Sequence, residues 1–402
     1  MESARLIASL ARVTGDVGEA EELAQDALVA ALEQWPIDGV PDNPAAWLTA
    51  TAKHKAVDRY RRQARYQEKL AEVGRAIGEA DEPDWAAEID DYVGDDLLRL
   101  IFTACHPVLS TEARVALTLR LVGGLTTDEI ARAYLVPEAT LAQRIVRAKR
   151  ILAERRVAIE LPPPPEAAAR LASVLEVIYL IFNEGYSATA GDDWTRPALC
   201  HEALRLGRVL AGLAPQEPEV HGLVALMEFQ ASRMRARVGP DGEPILLGDQ
   251  DRRLWDRLLI RRGMEALDRT KGTYGPYVLQ AEIAACHVAD DTDWDRVATL
   301  YKVLSYVAPS PIVELNRAVA VGHAYGPAKG LEIIDALVVT GALANYALLP
   351  AVRGDLLERL GRVDEARVEF AHAAGLTRNT RERDLFAKRA ETRGESPLRG
   401  MA

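Results

Sequence analysis

Cysteine is scarce, with three thiols in 402 residues, and none of Cys105, Cys200 and Cys286 falls in a C-x-x-C pair. That excludes a disulfide framework and the short ligand spacings of a structural zinc site. Each thiol is followed by a histidine, at His106, His201 and His287, but neighbouring residues on a helix point about 100° apart and cannot share one ion. No metal and no cofactor are expected. Long apolar runs are also missing. The longest, Leu171 to Phe182, is interrupted by Glu176 and is too short to cross a bilayer. No basic-then-apolar segment opens the chain, so a soluble cytoplasmic protein without a membrane partner is expected. Phosphate-binding G-x-x-x-x-G-K-S/T, dinucleotide-binding G-x-G-x-x-G, H-E-x-x-H and G-x-S-x-G motifs are absent as well, so neither an enzyme nor catalytic residues are expected. Positive charge is in deficit, 49 Lys and Arg against 60 Asp and Glu for a net −11. Such a balance argues against nucleic acid unless the charge is unevenly placed.

It is unevenly placed. Between Thr126 and Leu152 the sequence TTDEIARAYLVPEATLAQRIVRAKRIL reads as a helix-turn-helix. Thr126 and Glu129 have capping-box spacing ahead of Ile130, Ala131, Tyr134 and Leu135, and Pro137 stops the first helix. In the second helix Leu141, Ile145, Ala148, Ile151 and Leu152 recur at helical spacing. Arg144, Arg147, Lys149, Arg150, Arg155 and Arg156 take other positions. Such a helix can enter a major groove, or it can be one half of an amphipathic hairpin with a solvated basic face. A second basic segment decides for DNA. Lys53, Lys55, Arg59, Arg61, Arg62 and Arg65 face only Asp58 within thirteen residues, for a local charge near +5. Trp47 and Tyr60 are interleaved, and aromatic faces stack on unpaired bases. The preceding stretch Glu19 to Trp35 is amphipathic and holds no lysine or arginine.

In this order the segments resemble the bacterial extracytoplasmic-function sigma factors of the sigma-70 family. AEELAQDALVAALEQW is similar to the region-two helix that docks on the polymerase clamp, which implies clamp contacts by Glu21, Glu22, Gln25, Asp26, Leu28, Leu32 and Trp35. NPAAWLTATAKHKAVDRYRR resembles the helix that melts and reads the −10 element, implying Trp47, Lys53, Lys55, Arg59, Tyr60, Arg61 and Arg62. In relatives a flipped base enters the preceding loop, here residues 36–43, where Asn43 can donate and accept; on residue types alone a plain Pro/Gly/Asp turn fits equally. The helix-turn-helix resembles region four. Glu138, Thr140, Gln143 and Arg144 are then expected at base edges of the −35 element, with Arg147 and Lys149 at phosphates. Pro137 stands where relatives often carry a serine cap, which leaves one residue of freedom in the register.

The resemblance implies core RNA polymerase and promoter DNA as partners. It implies an all-α chain with region two at 1–65, a linker at 66–96, region four at 97–160 and a helical extension at 161–402. The linker is acidic, with Glu68, Glu72, Glu79, Asp81, Glu82, Asp84, Glu88, Asp90, Asp91, Asp95 and Asp96 against Lys69 and Arg75. It reads equally as a strand occupying the template or RNA path and as a solvated tether.

From Pro162 to Pro165 a stiff run leads into almost wholly helical periodicity. YLIFNEGY, PEVHGLVAL and LLGDQDRRLWDR resemble the sigma subgroup with a tetratricopeptide-type extension. Gly354, Leu357, Ala366, Phe370 and Ala373 have the spacing of one repeat; Ala298, Tyr301, Leu304 and Pro309 mimic a second, and a weaker copy lies between Pro311 and Leu337. A superhelix with a concave surface is expected over about 274–390. Residues 238–247 carry an Asp-Gly turn. The polar spots Asn183 to Tyr186 and Asp249 to Arg253 read either as ligand contacts or as helix ends and packing contacts. The extension is expected either to contact the polymerase and the first two domains or to receive a regulatory protein partner, and the subgroup resemblance implies small DGPF or YCII-type proteins as such a partner. Two other classes compete with the sigma factor: a helix-turn-helix regulator with a ligand-sensing helical domain, which leaves Glu19 to Arg65 unexplained, and a repeat scaffold without DNA affinity.

Overall fold

The computed structural model describes residues 2–57 apart from Ala45, and 93–391 apart from Leu135 and Lys271. The expected sites Arg59, Tyr60, Arg61 and Arg62, and the acidic stretch up to Tyr92, lie outside the described residues. The architecture is all-α, and the chain divides into two compact units, Met1–Val177 and Ile178–Ala402.

The first unit opens with α1 (Glu2–Thr14) and α2 (Val17–Asp38), turned back on each other at Gly15, whose φ of +68° suits a residue without Cβ. Asp16 caps α2, its Oδ1 accepting from the N–H groups of Gly18 at 2.7 Å and Glu19 at 3.0 Å. Ala20, Ala24, Ala27, Ala30 and Ala31 line the buried face of α2 with Leu23, and these small side chains let α1 approach closely. The helix runs on through Pro36, which had been expected to open the following loop. A proline there withholds one N–H from the carbonyl of Leu32, a loss confined to the last turn of the helix, where Leu32 and Glu33 are exposed. Helix α3 (46–57) buries Leu48, Ala52 and Ala56.

Helices α4 (Val93–Ala104) and α5 (Thr111–Thr118), a π-helical turn (Leu119–Gly123), α6 (Thr127–Ala133) and α7 (Glu138–Glu154) form the rest of this unit's core. Leu100, Leu117, Leu121, Ile130 and Leu141 are fully buried there. Asp96 ties α4 to α1 through Arg12 at 3.1 Å. The proline run at 162–165 does not divide the chain: α8 (Pro164–Tyr186) belongs to the first unit as far as Val177. The cause is polar. Arg170 donates to the carbonyl of Phe102 at 3.2 Å and Ser173 to that of Cys105 at 2.8 Å, so α8 satisfies carbonyls at the C-terminal end of α4.

The second unit is a succession of helices, each packed on the next: α9 (Pro197–Leu213), α10 (Pro218–Ala231), α11 (Arg257–Asp268), α12 (Pro276–Val288), α13 (Trp294–Val307), α14 (Pro311–Ala324), α15 (Pro327–Thr340), α16 (Leu348–Arg359), α17 (Val363–Leu376) and α18 (Thr380–Glu391). Proline stands in the first turn of α9, α10, α12, α14 and α15, where its missing N–H costs nothing. Gly354, Leu357, Ala366, Phe370 and Ala373 are all buried between α16 and α17, and Phe370 lies 3.0 Å from where a Gly354 Cβ would stand. The weak copy at 311–337 is a true helix pair, α14 and α15, whose crossing needs Gly330: a Cβ there would meet the carbonyl oxygen of Ala318 at 2.6 Å. The Asp-Gly turn is present as well, with Gly242 at φ +80° and Gly239 N–H donating to the Glu243 carbonyl at 2.9 Å.

The stack also starts earlier than expected and its ends meet. β1 (Ala190–Gly191) pairs in parallel with β2 (Arg378–Asn379). Asn379 is fully buried and donates from Nδ2 to the carbonyls of Ala188 at 3.1 Å and Asp193 at 2.9 Å. Asn379→Ala strands both acceptors inside the unit and is expected to lower its stability by about 1–3 kcal/mol, read as a drop in the denaturant midpoint. An unchanged midpoint would mean the clasp contributes nothing.

Candidate nucleic-acid interface

Local sequence builds the helix-turn-helix as read. Glu129 N–H donates to Thr126 Oγ1 at 3.2 Å, and Glu129 Oε2 accepts from the Thr126 N–H at 2.7 Å, closing the capping box. Ile130 and Ala131 are buried under α7. The turn places Pro137 directly before α7, its carbonyl accepting from Thr140 at 3.0 Å and Leu141 at 3.1 Å. Glu138 is therefore the first helical residue, which fixes the register that the missing serine cap had left open.

With Leu141, Ile145, Ala148 and Leu152 buried, the opposite face of α7 is set by geometry. Thr140, Gln143, Arg147 and Arg150 are exposed on it, together with Ala139 and Val146. Arg144 is half-buried on one flank near Glu112 of α5, whose carboxyl is held below the usual range by hydrogen bonds from its own backbone and from Ser110, with a smaller contribution from the Arg144 charge.

Lys149 sits on the other flank and is not displayed with the arginines. Its ammonium pairs with Oε2 of Glu21, while Oε1 of Glu21 accepts from Arg120 Nε at 2.7 Å and from Gln25 Nε2 at 3.0 Å. Glu21 is 5% exposed. Two residues assigned from the sequence to different surfaces thus face each other: Glu21 points away from any partner on the outer side of α2, and Lys149 neutralises it. A carboxylate on the inner face of a helix needs such cations to offset its desolvation.

The outer face of α2 carries Glu22, Gln25, Asp26, Val29, Leu32 and Glu33, all exposed and spaced i, i+3, i+4, i+7. Leu28 is half-buried and Trp35 turns inward, its ring 5.5 Å from Trp47 in an edge-to-face pair at 64°. Val29, 51% exposed, belongs to this stripe and was passed over in the sequence, although its i+3 spacing from Asp26 was the available signal. Asn43 caps α3, its Oδ1 accepting from Ala46 N–H at 3.1 Å, so the plain-turn reading describes its oxygen here. Lys53 and Lys55 are half-buried on α3, either side of exposed His54. Trp47 is half-buried, with Trp35 against it edge to face. All three thiols are buried, and burial pushes Cys105 to about 11 and Cys200 to about 12, which makes them poor nucleophiles.

Residues 1–66 match Sigma-70 region 2, and residues 99–152 match Sigma-70 region 4. The ECF RNA polymerase sigma factor SigL of Mycobacterium tuberculosis is 29% identical over 143 residues, 35% of this chain and 76% of that protein. The chain belongs to the extracytoplasmic-function sigma factors of the sigma-70 family. SigK of Mycobacterium ulcerans is 28% identical to this sigma factor over 148 residues, 35% of the chain and 74% of SigK. The sigma factor's extension is shared too. An uncharacterised protein of Rhizobium meliloti (strain 1021) is 42% identical over 386 residues, 93% of this chain and 90% of that one. Residues 170–271 match a family of unknown function, DUF6596. Yeast Tom70 aligns with 93% of the sigma factor and 79% of its own chain at a TM-score of 0.31 and 12% identity. No helix among the described residues is long and apolar enough to cross a membrane.

Proposed function

We propose that this sigma factor binds core RNA polymerase through the outer face of α2, places α7 on the −35 element and α3 with the segment after it on the −10 element, and so favours an opened promoter. The observation that carries the reading is the pairing of two unlike exposed faces in one unit. One is the acidic and apolar stripe Glu22 to Glu33, and the other the cationic face of α7. The first suits a protein surface and the second suits phosphates, whereas a simple operator-binding regulator would need only the second. Phosphoryl transfer belongs to the polymerase in this scheme; the sigma subunit contributes binding energy that is larger for the melted state, where capture of a flipped base offsets unstacking. The protein acts in the cytoplasm. Its extension serves as a fused regulatory or protein-binding module, with small DGPF or YCII-type proteins as candidate partners.

The arginines of α7 divide the test. Arg147→Ala in the polymerase-bound protein should weaken binding to all promoter sequences alike and flatten the salt slope by about one. Arg144→Ala should cost about 1–3 kcal/mol at one base position and relax preference there. Fluorescence anisotropy on −35 fragments across a salt series reads both. Equal effects on matched and scrambled fragments for both variants would remove the base-reading role.

A further inference from the structure

Between α10 and the Asp-Gly turn the chain passes through a 3-10 turn (Met234–Ala236) flanked by Arg233 and Arg237. Both arginines are 5% exposed. No ion pair to a carboxylate is found for either among the described residues. Arg233 Nη2 donates to the Tyr186 hydroxyl at 3.0 Å, and the Arg237 guanidinium lies over the face of the same ring, 3.4 Å from its centroid. Arg237 also covers Trp194, 4.5 Å from that ring's centroid. Two like charges are thus brought to one tyrosine, out of water and without a counter-charge.

Arginine is rarely buried in this way. The aromatic faces offset part of the desolvation of Arg237, but cation–π contact does not use in-plane N–H groups. Those groups are left over: Arg233 Nε, Arg237 Nε, Arg237 Nη1 and Trp194 Nε1 are buried without a hydrogen-bond partner. The Tyr186 hydroxyl accepts from Arg233 and so has its own proton free to donate. Every spare group at the two guanidiniums is a donor, and unpartnered donors on buried positive charge complement an oxyanion.

We infer that Arg233 and Arg237, with Tyr186 and Trp194, form an enclosed binding site for an oxyanion, either a phosphate or a carboxylate, free or at the end of a small ligand. The spare Nε of Arg233 and the spare Nε and Nη1 of Arg237 supply separate N–H groups to such an anion, and the two aromatic rings hold Arg237 in place for it. His287, held neutral by burial and by the charge of Arg233 with a pKa of about 3, adds no competing acid to the neighbourhood. The site makes the extension a receiver for a small anionic ligand, independently of how the sigma domains act.

The test uses the full chain. Thermal unfolding is followed at constant ionic strength in chloride, phosphate, sulfate and acetate, and the denatured protein's supernatant is analysed by ion chromatography. A saturable rise in midpoint of at least about 3 °C in one oxyanion, or about one oxyanion released per chain, is expected. Phosphate and sulfate acting together without acetate would assign the tetrahedral class, and acetate alone the carboxylate class. R233M and R237M should abolish the increment, and Y186F should shift its half-saturation to higher concentration even if the arginine variants fail to fold. Identical midpoints in all four salts with no ion released would overturn the site, as would an increment that survives in R237M and Y186F unchanged.

Discussion

Glu21→Ala is expected to destabilise the N-terminal unit by about 3 kcal/mol, which makes it the most damaging single polar substitution there. The side chain touches two cations and an amide while remaining 6% exposed, and removing it leaves Arg120 and Lys149 facing each other without their anion. Breaking a buried pair from one side costs about 3–5 kcal/mol; the lower figure applies because Arg120 and Lys149 keep 23% and 22% of their side-chain surface in water. Lys149→Met should cost much less, since Arg120 still covers the carboxylate. Chemical denaturation of the full chain, followed on the transition of this unit, separates the two variants. A second consequence reaches function. Freed from Glu21, the Lys149 ammonium joins the arginines of α7, and the salt slope of DNA binding should steepen by about one. An E21A protein with wild-type stability would show that the tie between α2 and α7 is only a surface ion pair.

Leu32→Glu should do the opposite: leave the fold intact and remove the polymerase. Leu32 is 77% exposed, so a carboxylate there costs the unit almost nothing. If the outer face of α2 is the docking surface, Leu32 is the most exposed apolar residue of its Glu22 to Glu33 stripe, and burying a charge in its place costs at least about 2 kcal/mol, or thirtyfold in affinity for core polymerase. Val29→Glu, one turn earlier on the same stripe, should behave alike, and Arg147→Ala should leave core affinity unchanged. Titration of core polymerase with labelled protein gives all three constants. Wild-type affinity in L32E would move the docking surface elsewhere.

What could be read from sequence was what local rules decide. The capping box at Thr126 and Glu129, the apolar stripe of α7 and the Gly354 to Ala373 repeat are set within a few residues, and the structure has them as read. What was missed depends on partners far along the chain. Nothing near Glu21 distinguishes it from exposed Glu22. Its burial comes from Arg120, 99 residues later, and from Lys149. Asn379 gave no signal because both carbonyls it closes on lie near residue 190. Pro36 misled because α2 tolerates a proline in its last turn, where only one backbone hydrogen bond is lost. The sigma domains were placed by their order and charge, but which flank of α7 or α2 carried each charge required the folded unit.

Run-off transcription from candidate promoters with purified bacterial core polymerase tests the central claim most directly, adding wild type, L32E or the Arg144→Ala/Arg147→Ala double variant. Initiation that requires the wild-type chain, fails with L32E and is weakened with the arginine variant is the predicted result. No initiation with the wild-type chain, together with tight binding of duplex DNA in the absence of polymerase, would contradict it and leave a helix-turn-helix regulator in its place.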